Sequence, residues 1–268
     1  MERIVAKAVS EHDADMVVFP EYVNIFLIAR RYPAAVAESD SVDEAVWRLG
    51  GDDPTVADVA SLLRRTAPLI SREALNFWRQ LAAKYQVAIV PGTFFVRPDA
   101  HRQGLRNRLY LIDRTGTVIH RQDKVYLTPE ESEDLGVEPG NLDAVSPIQI
   151  DGLSIGFTIC RDTFFDTWNE RLGDADVWID LRANGERYTR EVAERFRQTL
   201  PQRVGETGAI AGVNATLSGE FLDLVFAGRS YVVDESGHRV AESSSTIGTE
   251  ITSVTLARHA TVWTLTNP

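Results

Sequence analysis

Five short apolar runs punctuate the chain: MVVF at Met16–Phe19, VAIV at Val87–Val90, SIGFTI at Ser154–Ile159, VWIDL at Val177–Leu181 and AIAGVN at Ala209–Asn214. Each is too short for a buried helix, and longer stretches with helical spacing lie between them. That alternation dictates strands covered on both faces by other layers, so the fold class is α/β. The clearest helix is Ser71–Gln86, which opens on Ser71, carries Glu73 in its first turn and places Leu75, Trp78, Leu81 and Ala82 on one face. NRLYLIDRTGTVIHRQ (107–122) alternates apolar and polar residues on both sides of Thr115-Gly116 and predicts a β-hairpin. RSYVVDESGHRVAE (229–242) predicts a second about Ser236-Gly237. Residues 32–70, with Gly50-Gly51 and Asp52-Asp53-Pro54, read as a loop-and-helix excursion lying on the surface. No compositional break divides the 268 residues, which predicts one domain over 1–268.

Counting 28 Lys and Arg against 39 Asp and Glu gives a net charge of -11, which repels polyanions and supplies no basic field for nucleic acid. The arginines at 102–108, with Arg114 and Arg121 beyond, read as the solvated face of the first hairpin. No apolar stretch approaches the roughly 20 residues needed to span a bilayer, which argues against a membrane role. The charged start lacks the apolar core of a secretory signal. A single cysteine, Cys160, cannot form an internal disulfide, so the expected compartment is the cytoplasm.

Cys160 ends an apolar run and precedes Arg161-Asp162, where Asp162 is suited to cap a helix. This predicts a strand-to-helix elbow that exposes the sulfur near a helix N-terminus, whose dipole lowers a thiol pKa. The competing reading is a buried cysteine acting as a small hydrophobe. A thiol nucleophile needs a base and an oxyanion partner. His12, His101, His120, His238 and His259 all fall in helical or hairpin surface contexts and suggest no Cys-His pair. Carboxylate and ammonium partners are better placed: Glu21 directly follows a strand and a proline, and Lys124 follows the hairpin. For each, the alternative is an exposed loop charge.

Together these stretches resemble the nitrilase, or carbon-nitrogen hydrolase, superfamily. VVFPEY carries its Glu motif, DKVYLTPEE its Lys motif and IGFTICRDTFF its Cys motif, in that chain order. VEPGN (137–141), LPQRVGETGAIAGVN (200–214) and FAGRSYVVDESGHRVAE are similar to its later segments. The resemblance implies a four-layer α-β-β-α sandwich with Glu21 as general base, Lys124 and the Arg161 backbone N–H as oxyanion donors and Cys160 as nucleophile. It also implies an assisting Glu131, with Glu130 beside it as the competitor. It implies a small amide-type substrate ahead of carbamoyl compounds and nitriles, no cofactor, no metal and a homo-oligomer. Acyl transfer from the thioester and a catalytically silent scaffold stand as alternatives.

The pattern departs from the family in three places. The chain opens inside a helix rather than on a strand, and 103 residues separate Glu21 from Lys124. WIDLRANGERY puts Arg182 and Asn184 after a strand as candidate substrate-binding residues, Arg182 as a partner for a substrate carboxylate with a surface salt bridge as its alternative.

Overall fold

A computed structural model describes residues 1–98, 104–259 and 262–266; His101 and Arg102 lie outside them. Helix α1 (Glu2–His12) turns Val5 and Ala8 inward and stops at Asp13, whose left-handed φ of 48° lets its N–H cap the Ala8 carbonyl. β1 (Met16–Phe19) comes next. β1 stands at the margin of its sheet.

The excursion is more ordered, and shorter, than the sequence suggests. It consists of α2 (Leu27–Arg31), α3 (Pro33–Ala37) and α4 (Val42–Asp52), the last capped by Ser41. Helix α5 then runs from Val59 to Tyr85, starting well before the predicted Ser71. Its true start is Asp58, which exchanges capping hydrogen bonds with Ser61. Pro68 and Ser71 resemble a helix boundary, but Leu62, Leu63, Thr66, Ala67 and Ile70 continue the buried face straight through it. Tertiary burial therefore overrides a local break. Leu63 and Ala67 of α5 pack on Phe95 and Leu105, and the excursion packs on α5 through Val46 and Val56 against Leu62.

β2 (Ala88–Pro91) lies parallel to β1, with Val17 opposite Ile89. β3 (Thr93–Val96), β4 (Arg106–Ile112) and β5 (Val118–Asp123) complete a sheet ordered β1-β2-β4-β3, with β5 also on β4. The predicted hairpin is β4–β5, Tyr110 opposing Arg121 across a turn at Gly116, whose φ is 83°. Arg106 and Arg108 in it are not free solvated charges: they pair with Glu138 and Asp123.

The second half builds the other sheet from β6 (Ile148–Ile150), β7 (Leu153–Ile159), β8 (Val177–Ala183), β9 (Ala211–Leu217), β12 (Tyr231–Asp234) and β13 (Arg239–Glu242). Its order is β13-β12-β9-β8-β7-β6, and β7, β8 and β9 run parallel. Helices α6 (Thr167–Leu172), α7 (Arg190–Arg197) and α8 (Leu200–Glu206) fill the crossovers. Two further hairpins, β10 (Gly219–Phe221) with β11 (Leu224–Phe226) and β14 (Thr255–His259) with β15 (Val262–Thr266), stand apart from both sheets.

Three apolar layers hold the sandwich together. Val5, Trp78, Leu81 and Ala82 of α1 and α5 pack on Phe19, Ile89 and Ile112 of the first sheet. Leu109 and Leu111 meet Phe157, Ile159, Ile179 and Leu181 between the sheets. Trp168, Leu172, Leu200 and Val204 cover Trp178 and Val233 on the far side. Each such fully buried side chain contributes about 1.5–3 kcal/mol of transfer free energy. The result is the expected α-β-β-α order. No helix among the described residues is long and apolar enough to cross a membrane.

Candidate active site

Glu21 leaves β1 through Pro20. Gly92, between β2 and β3, lies so close that a Cβ there would sit 2.2 Å from the Pro20 carbonyl oxygen, and its φ of 77° is left-handed. Tyr22 also has a positive φ, 62°, and its N–H donates to Thr93 Oγ1 at 3.0 Å. Asn24 donates to the Pro91 and Thr93 carbonyls at 2.8 and 3.0 Å and accepts from Trp78 Nε1 at 2.8 Å. The turn carrying Glu21 is thus pinned to the sheet and to α5.

Lys124 directly succeeds β5. Its N–H donates to the Asn107 carbonyl at 2.8 Å, and its carbonyl accepts from Gly140 N–H at 2.7 Å. Gly140, in VEPGN, packs where a Cβ would lie 2.7 Å from the Asp123 carbonyl oxygen. The ammonium is 1% exposed and pairs with Glu21 Oε1 at 2.9 Å and Glu131 Oε2 at 2.7 Å. Glu131 stands on a single π-helical turn, Glu130–Asp134, and is buried, whereas Glu130 beside it is exposed. Glu131 also accepts from the Tyr22 hydroxyl, from Thr128 N–H at 2.9 Å and from Asn107 Nδ2 at 2.9 Å. Asn107 Nδ2 reaches Glu21 Oε1 at 2.8 Å as well, so one amide bridges both carboxylates.

Burial sets the charge states. It raises Glu21 to about 7, because desolvation and the neighbouring Glu131 outweigh the Lys124 ammonium. Burial also pushes Glu131 upward, but the Lys124 charge and the hydrogen bonds from Lys124, Tyr22 and Thr128 outweigh it and hold its carboxyl low. Lys124 is desolvated too, yet the charges of Glu21, Cys160 and Glu131 keep it firmly protonated. The ammonium therefore stays charged, and of its two carboxylate partners Glu21 is the one that can exchange a proton near neutral pH.

Cys160 ends β7 at an elbow where its own φ is 52°, a left-handed conformation unfavourable for a residue with a side chain. Its sulfur lies 3.7 Å from the Ala183 carbonyl oxygen. The predicted lowering of the thiol pKa does not occur. The elbow opens into one short 3-10 turn, Cys160–Phe164, rather than an α-helix with a usable dipole. Burial and the Glu21 charge push the thiol up to about 12, against the smaller opposing pull of Lys124 and Arg182. Asp162 is the third residue of this turn rather than its cap. Its carboxylate accepts from Ile159, Val125 and Tyr126 N–H at 3.2, 3.2 and 2.8 Å, tying the segment after Lys124 to the Cys160 elbow. Burial raises Asp162 to about 8 despite these donors. The Arg161 side chain donates to the Leu127 carbonyl at 2.9 Å and braces the same pair of segments.

Arg182 and Asn184 are turned away from the roles the sequence suggested. Arg182 is 1% exposed, so it forms no surface bridge, and its Nε and Nη2 donate to Asp180 Oδ2 at 3.1 and 2.8 Å. A guanidinium already paired inside the protein is not free for a substrate carboxylate. Asn184 Nδ2 donates to the Glu186 and Ala227 carbonyls, both at 2.9 Å, and serves the loop. His120 is half-buried, stacked on Phe157, rather than on the hairpin surface. Among the described residues no group of His, Cys, Asp and Glu is arranged to hold a metal ion.

Asn107 and Asp180 were not singled out in the sequence, and Asp162 was read only as a helix cap. Asn107 had a signal: it occupies the inward face of β4 with Leu109 and Leu111. Asp180 had another, a carboxylate inside the buried run VWIDL.

The chain is similar in fold to the carbon-nitrogen hydrolase of Helicobacter pylori G27, with a TM-score of 0.66 at 17% identity over 94% of this chain and 80% of that one. It is similar also to the amidase of Nesterenkonia sp. AN1 bearing acrylamide added to its active-site cysteine, with a TM-score of 0.59 at 21% identity over 92% and 81%. A butyramide complex of that amidase gives a TM-score of 0.60 at 21% identity over 92% and 79%. No curated protein matches the sequence. The family model for carbon-nitrogen hydrolases matches residues 1–262. With that match spanning nearly the whole chain, and the sandwich fold shared with solved nitrilase-type enzymes, this protein belongs to the carbon-nitrogen hydrolase family.

Proposed function

We propose that the protein is a thiol amidohydrolase acting on small non-peptide carbon-nitrogen bonds, simple amides ahead of carbamoyl compounds and nitriles. The observation that carries this reading is the buried Lys124 ammonium gripped by Glu21 and Glu131 beside a cysteine held at a left-handed elbow. Burying such a charge cluster is costly and gives a fold little that apolar packing would not.

Glu21 takes the Cys160 proton as the sulfur attacks the carbonyl carbon, so no free thiolate need accumulate despite the high thiol pKa. The S–C bond forms, and the negative charge on the carbonyl oxygen is received by Lys124 and the Arg161 N–H. Glu21 returns its proton to the departing nitrogen as the C–N bond breaks, leaving a thioester. It then removes a proton from the water that attacks the thioester, and the sulfur leaves with that proton. Glu131, held ionised, keeps the ammonium charged and in place throughout.

The test is intact-mass analysis of wild type and Cys160→Ala after brief exposure to small amides, carbamoyl compounds and nitriles. A substrate-dependent acyl adduct on wild type alone, with release of ammonia, is expected. Absence of any adduct, together with failure of iodoacetamide to label Cys160 in the folded protein, would point instead to a silent scaffold.

A further inference from the structure

We propose that the buried Asp180–Arg182 pair is a positioning device that holds the Cys160 elbow by both of its backbone groups. The inference rests on Cys160 being the nucleophile of the proposed hydrolase. The Cys160 N–H donates to Asp180 Oδ1 at 3.1 Å. The Cys160 carbonyl accepts from Thr163 Oγ1 at 2.8 Å, and that hydroxyl in turn accepts from Arg182 Nη2 at 2.9 Å. Since Arg182 also grips Asp180 Oδ2 through two nitrogens, a closed ring runs from the Cys160 N–H through Asp180, Arg182 and Thr163 back to the Cys160 carbonyl.

The ring is anchored in the rigid centre of the second sheet. Thr158, Asp180 and Asn214 stand at one level on β7, β8 and β9, register partners in consecutive parallel pairs. Thr158 Oγ1 donates to Asp180 Oδ1 at 3.2 Å, and Asn214 Nδ2 to Asp180 Oδ2 at 2.9 Å. Arg182 is fixed from the other side by Thr199 Oγ1 at 3.1 Å and by the Phe196 ring, 4.3 Å from its guanidinium carbon. Its Nη1 is buried without a hydrogen-bond partner.

Two consequences distinguish this arrangement from ordinary packing. The left-handed φ of Cys160 is imposed from both flanks of the residue, so the sulfur direction is set before substrate arrives. The Cys160 N–H is occupied by a carboxylate and does not serve the oxyanion, which leaves that task to Lys124 and the next N–H in the chain.

The experiment compares Thr163→Val, Thr163→Ser and Asp180→Asn with wild type by amide turnover and by the pH dependence of Cys160 alkylation with iodoacetamide, read by intact mass. Thr163→Val is expected to lower kcat about tenfold or more with KM changed less than about twofold, and Thr163→Ser to restore it, as small misplacements of reacting groups cost rate rather than binding. Asp180→Asn removes a negative charge beside the thiol, so alkylation should move to lower pH while kcat falls, opposite signs that mere loss of stability does not produce. Folded Thr163→Val and Asp180→Asn proteins that keep kcat within about twofold of wild type would overturn the proposal. If Asp180→Asn does not fold, the Val and Ser pair decides. A wild type that is alkylated but hydrolyses nothing removes the hydrolase reading alone, and the alkylation rates of the Val and Ser variants then decide the clamp. A wild type that is neither alkylated nor active defeats both.

Discussion

The N–H of Ala183 donates to Glu21 Oε2 at 3.0 Å, although 162 residues separate them. The carbonyl of the same alanine lies 3.7 Å from the Cys160 sulfur. The carboxyl end of β8 therefore touches both the proposed base, carried by the first sheet, and the thiol, carried by the second. Any shift between the sheets is felt at the site, so changes that loosen this edge should be visible in rate before they are visible in overall fold.

Glu21 should govern the pH response of the proposed hydrolase. With its pKa raised to about 7 by burial, kcat/KM for an amide should climb as pH rises through 7 and Glu21 ionises. Its effect on stability has the opposite direction. A carboxyl whose folded pKa lies above its ordinary value stabilises fully below that ordinary value, and the contribution is lost as pH rises from about 4.5 to about 7. Glu21→Gln, a neutral mimic, should therefore be inactive yet gain stability relative to wild type across that window, by an amount on the order of a few kcal/mol. Urea unfolding of both proteins at several pH values measures it; a difference independent of pH would contradict the assignment.

Lys124→Met leaves Glu21 and Glu131 buried without their shared cation. Removing one partner of a buried ion cluster costs about 3–5 kcal/mol, and activity should vanish. Adding Glu21→Gln and Glu131→Gln to the same chain should recover much of the stability and none of the activity. Chemical denaturation of the single and triple variants separates the electrostatic from the packing cost.

Asn107→Leu removes the amide that donates to both carboxylates while keeping a similar shape. Hydrogen bonds to charged groups are worth about 1.5–3 kcal/mol, so a loss of that order is expected in thermal or urea unfolding. Glu21 also loses a group that lowers its pKa, so the rise of kcat/KM should move to higher pH. An unchanged pH profile would show that the amide does not influence the base.

Asp162→Asn places an amide where three backbone N–H groups converge. Above about pH 8, where Asp162 is ionised and both oxygens accept, the variant's one carbonyl oxygen cannot serve them all and the amide N–H₂ must face a donor, costing about 1–3 kcal/mol. Because the segment it releases begins at Val125, next to Lys124, kcat should fall more than stability alone explains. Steady-state kinetics below the melting temperature would reveal whether it does.

Much of the fold was legible because its strands are buried on both faces and read as short apolar runs. Met16–Phe19 matches the observed β1, and the other four runs fall on β2, β7, β8 and β9 within two or three residues at either end. Weak, exposed strands such as β6 and β10 left no such trace, since three residues with mixed exposure carry no period. The start of α5 was hidden by Pro68, a local signal overruled by packing. At the candidate site, Glu21, Lys124, Glu131 and Cys160, named from the order of their motifs, are brought together by the fold. Their partners Asn107, Asp162 and Asp180 belong to hydrogen-bond networks across distant strands, which spacing along a chain does not express. The thiol pKa was misjudged for a related reason: burial is a property of the assembled sandwich, whereas the expected dipole was inferred from local sequence.

The left-handed backbone at Cys160 sets folding against chemistry at a single position. At a φ of 52° the chain alone would prefer glycine, so every other side chain placed there, sulfur included, carries a conformational penalty. Two variants without the sulfur isolate that penalty: Cys160→Gly should be more stable than Cys160→Ala by about 1 kcal/mol, a difference owed to the backbone and not to the thiol. The most relaxed version of this elbow is one without the sulfur that the proposed chemistry requires.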